Sequence, residues 1–227
     1  MPKGGKRYRA DFEKHDTSEL LPLNQAVDRL KTFKATKFDQ TVEIAMHLGI
    51  DARQADQAIR GSIALPHGVG QSRRVVAFCT DDKIEACKAA GAVEAGGAEV
   101  VKKIADGWME FDVAVASPDM MKVASKLGRV LGPKGLMPSP KAGTVTPDVV
   151  NAVTEYSAGK VEYRNDSGGN IHAPVGKLSF DAEKLVENAT TFIEHITKLK
   201  PASSKGQYIK RISLSATMTP GILVAED

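Results

Sequence analysis

Residues 36–50, TKFDQTVEIAMHLGI, constrain this chain more than any other stretch. From Phe38 onward the apolar residues fall on every second position: Phe38, Val42, Ile44, Met46, Leu48 and Ile50, with Gln40 the one exception. Period two marks a strand with one buried face. The opposite face carries Lys37, Asp39, Thr41, Glu43 and His47, too polar for a core. Such a strand needs helices on its apolar side and leaves the polar side open. An open polar strand face is ordinarily solvated surface, so alone it marks only where to look for function.

Ahead of it, Leu23, Val27, Leu30 and Phe33 recur at helical spacing, with Asn24 as the expected N-cap. The basic arm Lys3, Lys6, Arg7 and Arg9 has little to pack with. It is expected to be a mobile, solvated tail or to follow a phosphate backbone. A helical turn over 51–58 and a strand over 62–65 lead into Pro66, Gly68 and Gly70, a linker by composition. The rhythm then changes. Apolar strands over 75–79 and 111–116 alternate with helices over 81–90, 98–105 and 118–127, and Thr146 with Pro147 opens a helix to 156. That alternation indicates βαβ units around a parallel sheet.

After 157–159 the first rhythm returns. Residues 161–164 alternate, and Asp166-Ser167-Gly168-Gly169-Asn170 is hairpin chemistry leading into strand segments over 171–175 and 177–180. Asp181 caps a long helix with Leu185, Ala189, Phe192 and Ile196 in one stripe. On a last strand over 208–216, Tyr208, Lys210, Ile212, Leu214 and Ala216 face one way. Ile209, Arg211, Ser213, Ser215 and Thr217 face the other.

The expected fold class is therefore α/β with two domains. A discontinuous α+β outer domain with antiparallel strands takes residues 1–67 and 160–227, and an inserted Rossmann-like βαβ domain takes 68–159. The chain's 227 residues, 42% hydrophobic and 26% charged, suit a soluble globular protein. No apolar run approaches the roughly 18 residues of a membrane span. The basic N-terminus lacks the apolar segment of a secretory signal, which points to the cytoplasm. The net charge of +3 divides as +2 and +1 over the two outer pieces and zero over the middle. The surplus is small, but all of it lies in the outer domain.

Enzyme constellations are missing. Gly68-x-Gly70 precedes a strand and has Arg73 where a dinucleotide fingerprint needs glycine. His15, His47, His67, His172 and His195 lack metal-ligand spacing, and Asp112 and Asp119 read as strand-end and helix-cap residues. Cys79 and Cys87 read as buried structural thiols. No catalytic residue, cofactor or metal is expected.

The run over 128–144 stands apart. Arg129, Lys134 and Lys141 ride on a backbone too rich in glycine and proline for a helix or regular strand, which is expected to expose Leu131, Leu136 and Met137. A loop this long is either plain surface or functional, touching a phosphate backbone or covering an interdomain cleft. Its core, LGRVLGPKGLMPSPKAGTV, resembles the signature of the large-subunit ribosomal proteins numbered one, the bacterial-type family of the mobile side stalk. KRYR, TKFDQTVE, LGID, RGSIALPHG, GWMEFD, ASPDMM, YRNDSGGNIHAPVGK and SATM stand in the family's order, so the resemblance spans essentially the whole chain.

The resemblance implies an outer domain that grips the stalk region of large-subunit ribosomal RNA, as a monomer within the cytoplasmic ribosome. It also implies help in releasing deacylated transfer RNA from the exit site and, often, repression of the protein's own messenger RNA. No membrane is involved. Position by position, it places RNA contacts on Lys37, Phe38, Thr41, Glu43, Ser215, Thr217 and Met218, and on Arg164 and His172 of the hairpin. Asn165 and Asp166 match as well, yet a turn-stabilising role explains them equally. Phe38 is claimed twice, as core by alternation and as a contact by the resemblance. Hydroxyls, a carboxylate and a lysine suit folded RNA, which is read by shape and 2′-hydroxyls. Thr219 stands where the family usually has glycine, a strained place for a β-branched residue if φ is positive. Ser167 stands where lysine is common. Two rival readings remain: a Rossmann-like enzyme, and a protein-interaction module whose polar strands are mere surface.

Overall fold

The structure, a computed structural model, describes residues 5–13, 18–54 and 56–225. Lys3 of the basic arm, His15, and Ala55 of the expected 51–58 turn lie outside the described residues. The chain opens with helix α1 (Lys6–Glu13), strand β1 (Leu20–Leu21), helix α2 (Leu23–Thr32) and strands β2 (Thr41–Leu48) and β3 (Arg60–Ile63). Then come β4 (Val75–Phe78), α3 (Ile84–Ala89), β5 (Ala92–Gly96), α4 (Ala98–Ala105), β6 (Val113–Ala116), α5 (Met121–Ala124), α6 (Gly128–Leu131) and α7 (Val149–Ser157). The last stretch holds β7 (Val161–Arg164), β8 (Asn170–Lys177), α8 (Ala182–Lys198), β9 (Ile209–Ala216) and β10 (Ile222–Val224). This mixed α/β chain divides into two compact units, Met1–Gly70 with Tyr163–Asp227, and Gln71–Glu162.

In the first unit β2 sits inside a five-stranded sheet of order β1-β10-β9-β2-β8, antiparallel to both its neighbours. Val42, Ile44, Met46 and Leu48 are all buried, as the period of two requires. Burying each such side chain contributes about 1.5–3 kcal/mol. Two helices cover this face: Ala26, Val27 and Leu30 of α2, and the stripe Leu185, Ala189, Phe192 and Ile196 of α8, are buried.

The regular strand starts at Thr41, not at Phe38. Gln40 turns inward, 1% exposed, and its side-chain carbonyl accepts from the Met218 amide at 2.9 Å. Phe38 lies on the surface. The arm read as mobile is helical over its described residues: Asp11 is buried and accepts from the Lys34 amide at 3.4 Å, so it does have a packing partner. Helix α2 begins one residue before Asn24, because the Pro22 carbonyl accepts from the Ala26 amide at 2.9 Å. A proline loses nothing there, where no amide donor is required. The segment over 222–224 is the strand β10 between β9 and β1.

On β9 the inward and outward faces exchange partway. Arg211 pairs with His47, but Ile209 pairs with Leu48. The extra residue leaves Lys210 exposed and Ile209 buried, the reverse of the sequence reading for both. A bulge has this effect, re-aiming the side chains on one side of it.

The second unit is a parallel sheet of order β5-β4-β6. The strand β5 was hidden between the glycine turn at Gly91 and the next helix. Alternate residues of β4 feed two cores. Val75, Ala77 and Cys79 join Val149, Val153 and Tyr156, while Val76 and Phe78 join Val100, Ile104, Leu127 and Leu131. Both cysteines are free and buried, and burial pushes the Cys79 thiol up to about 12. Helix α7 is capped by Asp148, which accepts from the Asn151 amide at 3.2 Å, rather than by Thr146.

The run over 128–144 is tethered and contributes to the core. It opens with the helical turn α6, Leu131 is fully buried, and Leu136 and Met137 pack on the same cluster. The Thr144 hydroxyl accepts from the Ser139 amide at 2.8 Å, and the Tyr156 hydroxyl donates to the Ala142 carbonyl at 2.9 Å. Arg129, Lys134 and Lys141 remain exposed.

Candidate nucleic-acid interface

The face of the first unit's sheet opposite its helices is a grid of cross-strand rows. Pairing sets Thr41 beside Lys177, Glu43 between Pro174 and Ser215, Ala45 between His172 and Ser213, and His47 between Asn170 and Arg211. Glu43, His172 and Arg211 are exposed, and the hydroxyl residues Thr41, Ser213 and Ser215 are half-buried. Several groups are tied down within the sheet. Lys177 Nζ donates to the Thr41 hydroxyl at 2.9 Å, and His47 Nδ1 lies 2.8 Å from Asn170 Oδ1. The face is thus a plane of hydroxyls, imidazoles and the cations Lys177 and Arg211, with Glu43 as its one carboxylate acceptor.

Where β2 begins and β9 ends, the chain leaves regular structure and forms an open groove of about 810 Å³. It is lined by Lys6, Arg7 and Tyr8 of α1, residues 35–38, and residues 217–219. Phe38 is 54% and Met218 49% exposed. The backbone here is well held: the Thr217 amide donates to the Thr41 carbonyl at 3.1 Å, the Thr41 amide donates to the Thr217 hydroxyl at 3.2 Å, and Arg7 donates to the Met218 carbonyl at 3.2 Å. Thr219 is unstrained. Among the described residues no non-glycine has positive φ, and the Thr219 hydroxyl accepts from the Ala216 amide at 2.9 Å, so its side chain closes the turn.

Lys37, Phe38, Thr217 and Met218 therefore meet in the groove, while Thr41, Glu43, His172 and Ser215 share the adjoining sheet face. Arg164 is exposed at the end of β7, joined to β8 through the bridge from Asn165 to Ile171. Asp166 holds the hairpin: it accepts from the amides of Gly168 at 2.8 Å and Asn170 at 2.7 Å. The Asn170 side chain and amide hold its carboxyl below the usual carboxylate range. The basic arm named from the sequence supplies Lys6 and Arg7 to the groove wall. Sequence reasoning missed the roles of Gln40, Lys177 and Tyr8. Gln40 was visible as the break in the alternation; Lys177 and Tyr8 gave no signal, because contacts across more than a hundred residues create their places.

The family model described as the ribosomal protein L1p/L10e family matches residues 30–220. The large ribosomal subunit protein uL1 of Rhodopirellula baltica is 59% identical over 225 residues, which cover 99% of this chain and 100% of that protein.

Proposed function

The chain belongs to the ribosomal protein L1p/L10e family, a structural and non-enzymatic part of the large ribosomal subunit that binds ribosomal RNA, and from that premise we propose that the groove and sheet face of the first unit are its RNA-binding surface. One observation carries this reading: Phe38 and Met218 stay largely exposed in a groove whose other walls are hydroxyls and cations. Folded RNA offers the complement, with ribose and base faces for the apolar pair, 2′-hydroxyls for Thr217, Ser215 and Glu43, and phosphates for Lys37. Arg164 and His172 extend the contact toward the hairpin.

The RNA is the stalk region of the large subunit, and the chain acts as a single copy on the cytoplasmic ribosome. Holding that RNA, it assists release of deacylated transfer RNA from the exit site. It represses its own messenger by the same surface, since any RNA presenting a like arrangement of riboses and phosphates competes for it. The double substitution Phe38→Ser with Met218→Ser tests the reading. Both side chains are exposed, so the melting temperature stays within error while affinity for a stalk RNA fragment falls at least about tenfold, some 1.4 kcal/mol. A reporter under the protein's own messenger leader loses repression in parallel. Wild-type affinity in the double variant overturns the proposal.

A further inference from the structure

We infer that the RNA surface continues along the sheet face to a second, cationic end at Lys205, Lys210 and Arg211, which takes phosphates of the same ribosomal RNA; this rests on the reading above. Several cations of the first unit already have partners. Arg29 faces Glu19, Lys184 faces Asp181 and Lys198 faces Glu194. Lys200 donates to the Gly206 carbonyl and Lys177 to the Thr41 hydroxyl. Among the described residues, Lys205, Lys210 and Arg211 have no carboxylate in ion-pair reach, and all three are exposed.

Their grouping is built into the fold. Strict alternation would send Lys210 inward whenever Arg211 faces out; the bulge opposite His47 and Leu48 exposes both. Lys205 is brought beside Lys210 by a loop clamped to the end of β2. The Gly49 amide donates to the Tyr208 carbonyl at 2.6 Å, and the Ser204 hydroxyl donates to the Gly49 carbonyl at 2.9 Å. Only glycine permits this approach, since a Cβ at Gly49 would strike the Gln207 carbonyl oxygen. Lys205 and Lys210 line one open pocket of about 460 Å³. Its carboxylate, Asp51, is engaged elsewhere, accepting from the Arg53 amide at 3.1 Å and from Gln54 at 3.4 Å.

From the Thr41 row to the His47 row is six residue steps, roughly 20 Å at about 3.4 Å per residue. A duplex strand carries about one phosphate per 3.4 Å of axis, so the face spans several phosphates of one RNA. Between its two ends lie Ser213, Ser215, His172, the His47–Asn170 pair and the exposed carboxylate of Glu43, which meets ribose 2′-hydroxyls rather than phosphates. They leave room for a backbone to run from the groove to the cations.

The test is the triple variant Lys205→Ala, Lys210→Ala, Arg211→Ala in the full chain, against a control of equal charge change at Arg29, Lys184 and Lys198. Affinity for a stalk RNA fragment is measured across a salt series. The slope of log K on log salt is expected to shrink by about two in the triple variant, at roughly 0.7–0.9 for each phosphate no longer neutralised, with affinity near physiological salt at least about tenfold weaker. The control keeps the wild-type slope. A triple variant that matches wild type or the control overturns the inference, as does one that binds RNA normally while losing an acidic protein partner. If the groove variants at Phe38 and Met218 still weaken binding in that case, the functional reading stands and only this extension falls. If they too bind normally, both fall.

Discussion

Thr217 offers the sharpest test of whether hydroxyls on this surface read RNA. Its hydroxyl accepts from the Thr41 amide at 3.2 Å and lies 3.4 Å from the Thr41 carbonyl. One lone pair is thereby taken, while the second lone pair and a weakly engaged proton remain to meet a ribose 2′-hydroxyl. Thr217→Val keeps the shape and the β-branching but removes both partnerships. Inside the protein it forfeits one hydrogen bond at an exposed strand end, about 1 kcal/mol of stability. In the complex it leaves an RNA hydroxyl without its partner, roughly 1–3 kcal/mol, or about 5- to 150-fold in affinity. Thr217→Ser keeps the hydroxyl and both contacts, so it binds close to wild type. The assay is titration of a stalk RNA fragment at several salt concentrations, with melting temperatures alongside. Neither substitution alters the salt slope, whereas Lys37→Ala lowers it by about 0.7–0.9 if that lysine neutralises one phosphate. Equal affinity of Thr217→Val and wild type removes the hydroxyl from the site. A Thr217→Ser variant as weak as Thr217→Val shows that the hydroxyl without the β-branched shape does not support binding, and refutes the reasoning as surely.

Residues 1–70 joined to 163–227 by a short linker fold on their own and keep most of the RNA affinity, since groove and sheet face lie in those pieces; an unfolded product, or affinity a hundredfold down (~3 kcal/mol), refutes this. Asn188 is fully buried, accepts from the His67 amide at 3.1 Å and donates to the carbonyls of Gly68 at 2.9 Å and Val175 at 2.8 Å. Asn188→Leu orphans these groups at about 1–3 kcal/mol each where they stay buried, so hydrogen exchange in β8 reports roughly 3 kcal/mol less protection, and a loss below about 1 kcal/mol counts against the account. Burial, and then Lys198, push the His195 pKa below its usual value. The unfolded chain therefore binds the proton first, and stability falls as pH drops below about 6.5. His195→Gln flattens the wild-type decline in urea midpoint between pH 7.5 and 5.5; an identical decline in both proteins excludes His195 as its source.

The sequence made the buried half of the fold legible because burial writes a period. Val42 to Leu48 on β2 and Leu185 to Ile196 on α8 announce which side chains leave water, and the structure buries all of them. Short elements escaped. β5 and β10 have five and three residues with no alternation of apolar and polar side chains to mark them, and neighbouring strands hold them in place. The loop over 128–144 misled for a related reason: its glycines and prolines argued against any helix, yet α6 opens the run, and the burial of Leu131 depends on a helix well upstream, where Val100 and Ile104 join the same core.

The candidate surface obeys a different logic. A side chain left in water writes no hydrophobic rhythm: alternation put Lys37 and Thr217 on polar faces without singling them out, and Phe38 and Met218 came as contacts from the resemblance alone. What periodicity did offer was its own failures. Gln40 broke the alternation and proved to be the inward turn that accepts from the Met218 amide. Phe38 belonged to the apolar phase yet ended in the open. Lys210 sat in the apolar phase of β9 and was turned outward by a bulge beside Arg211. Each of the three marks a place where packing would have chosen another residue or another direction. All three lie at the ends of the polar face, where the proposed surface would grip a polyanion.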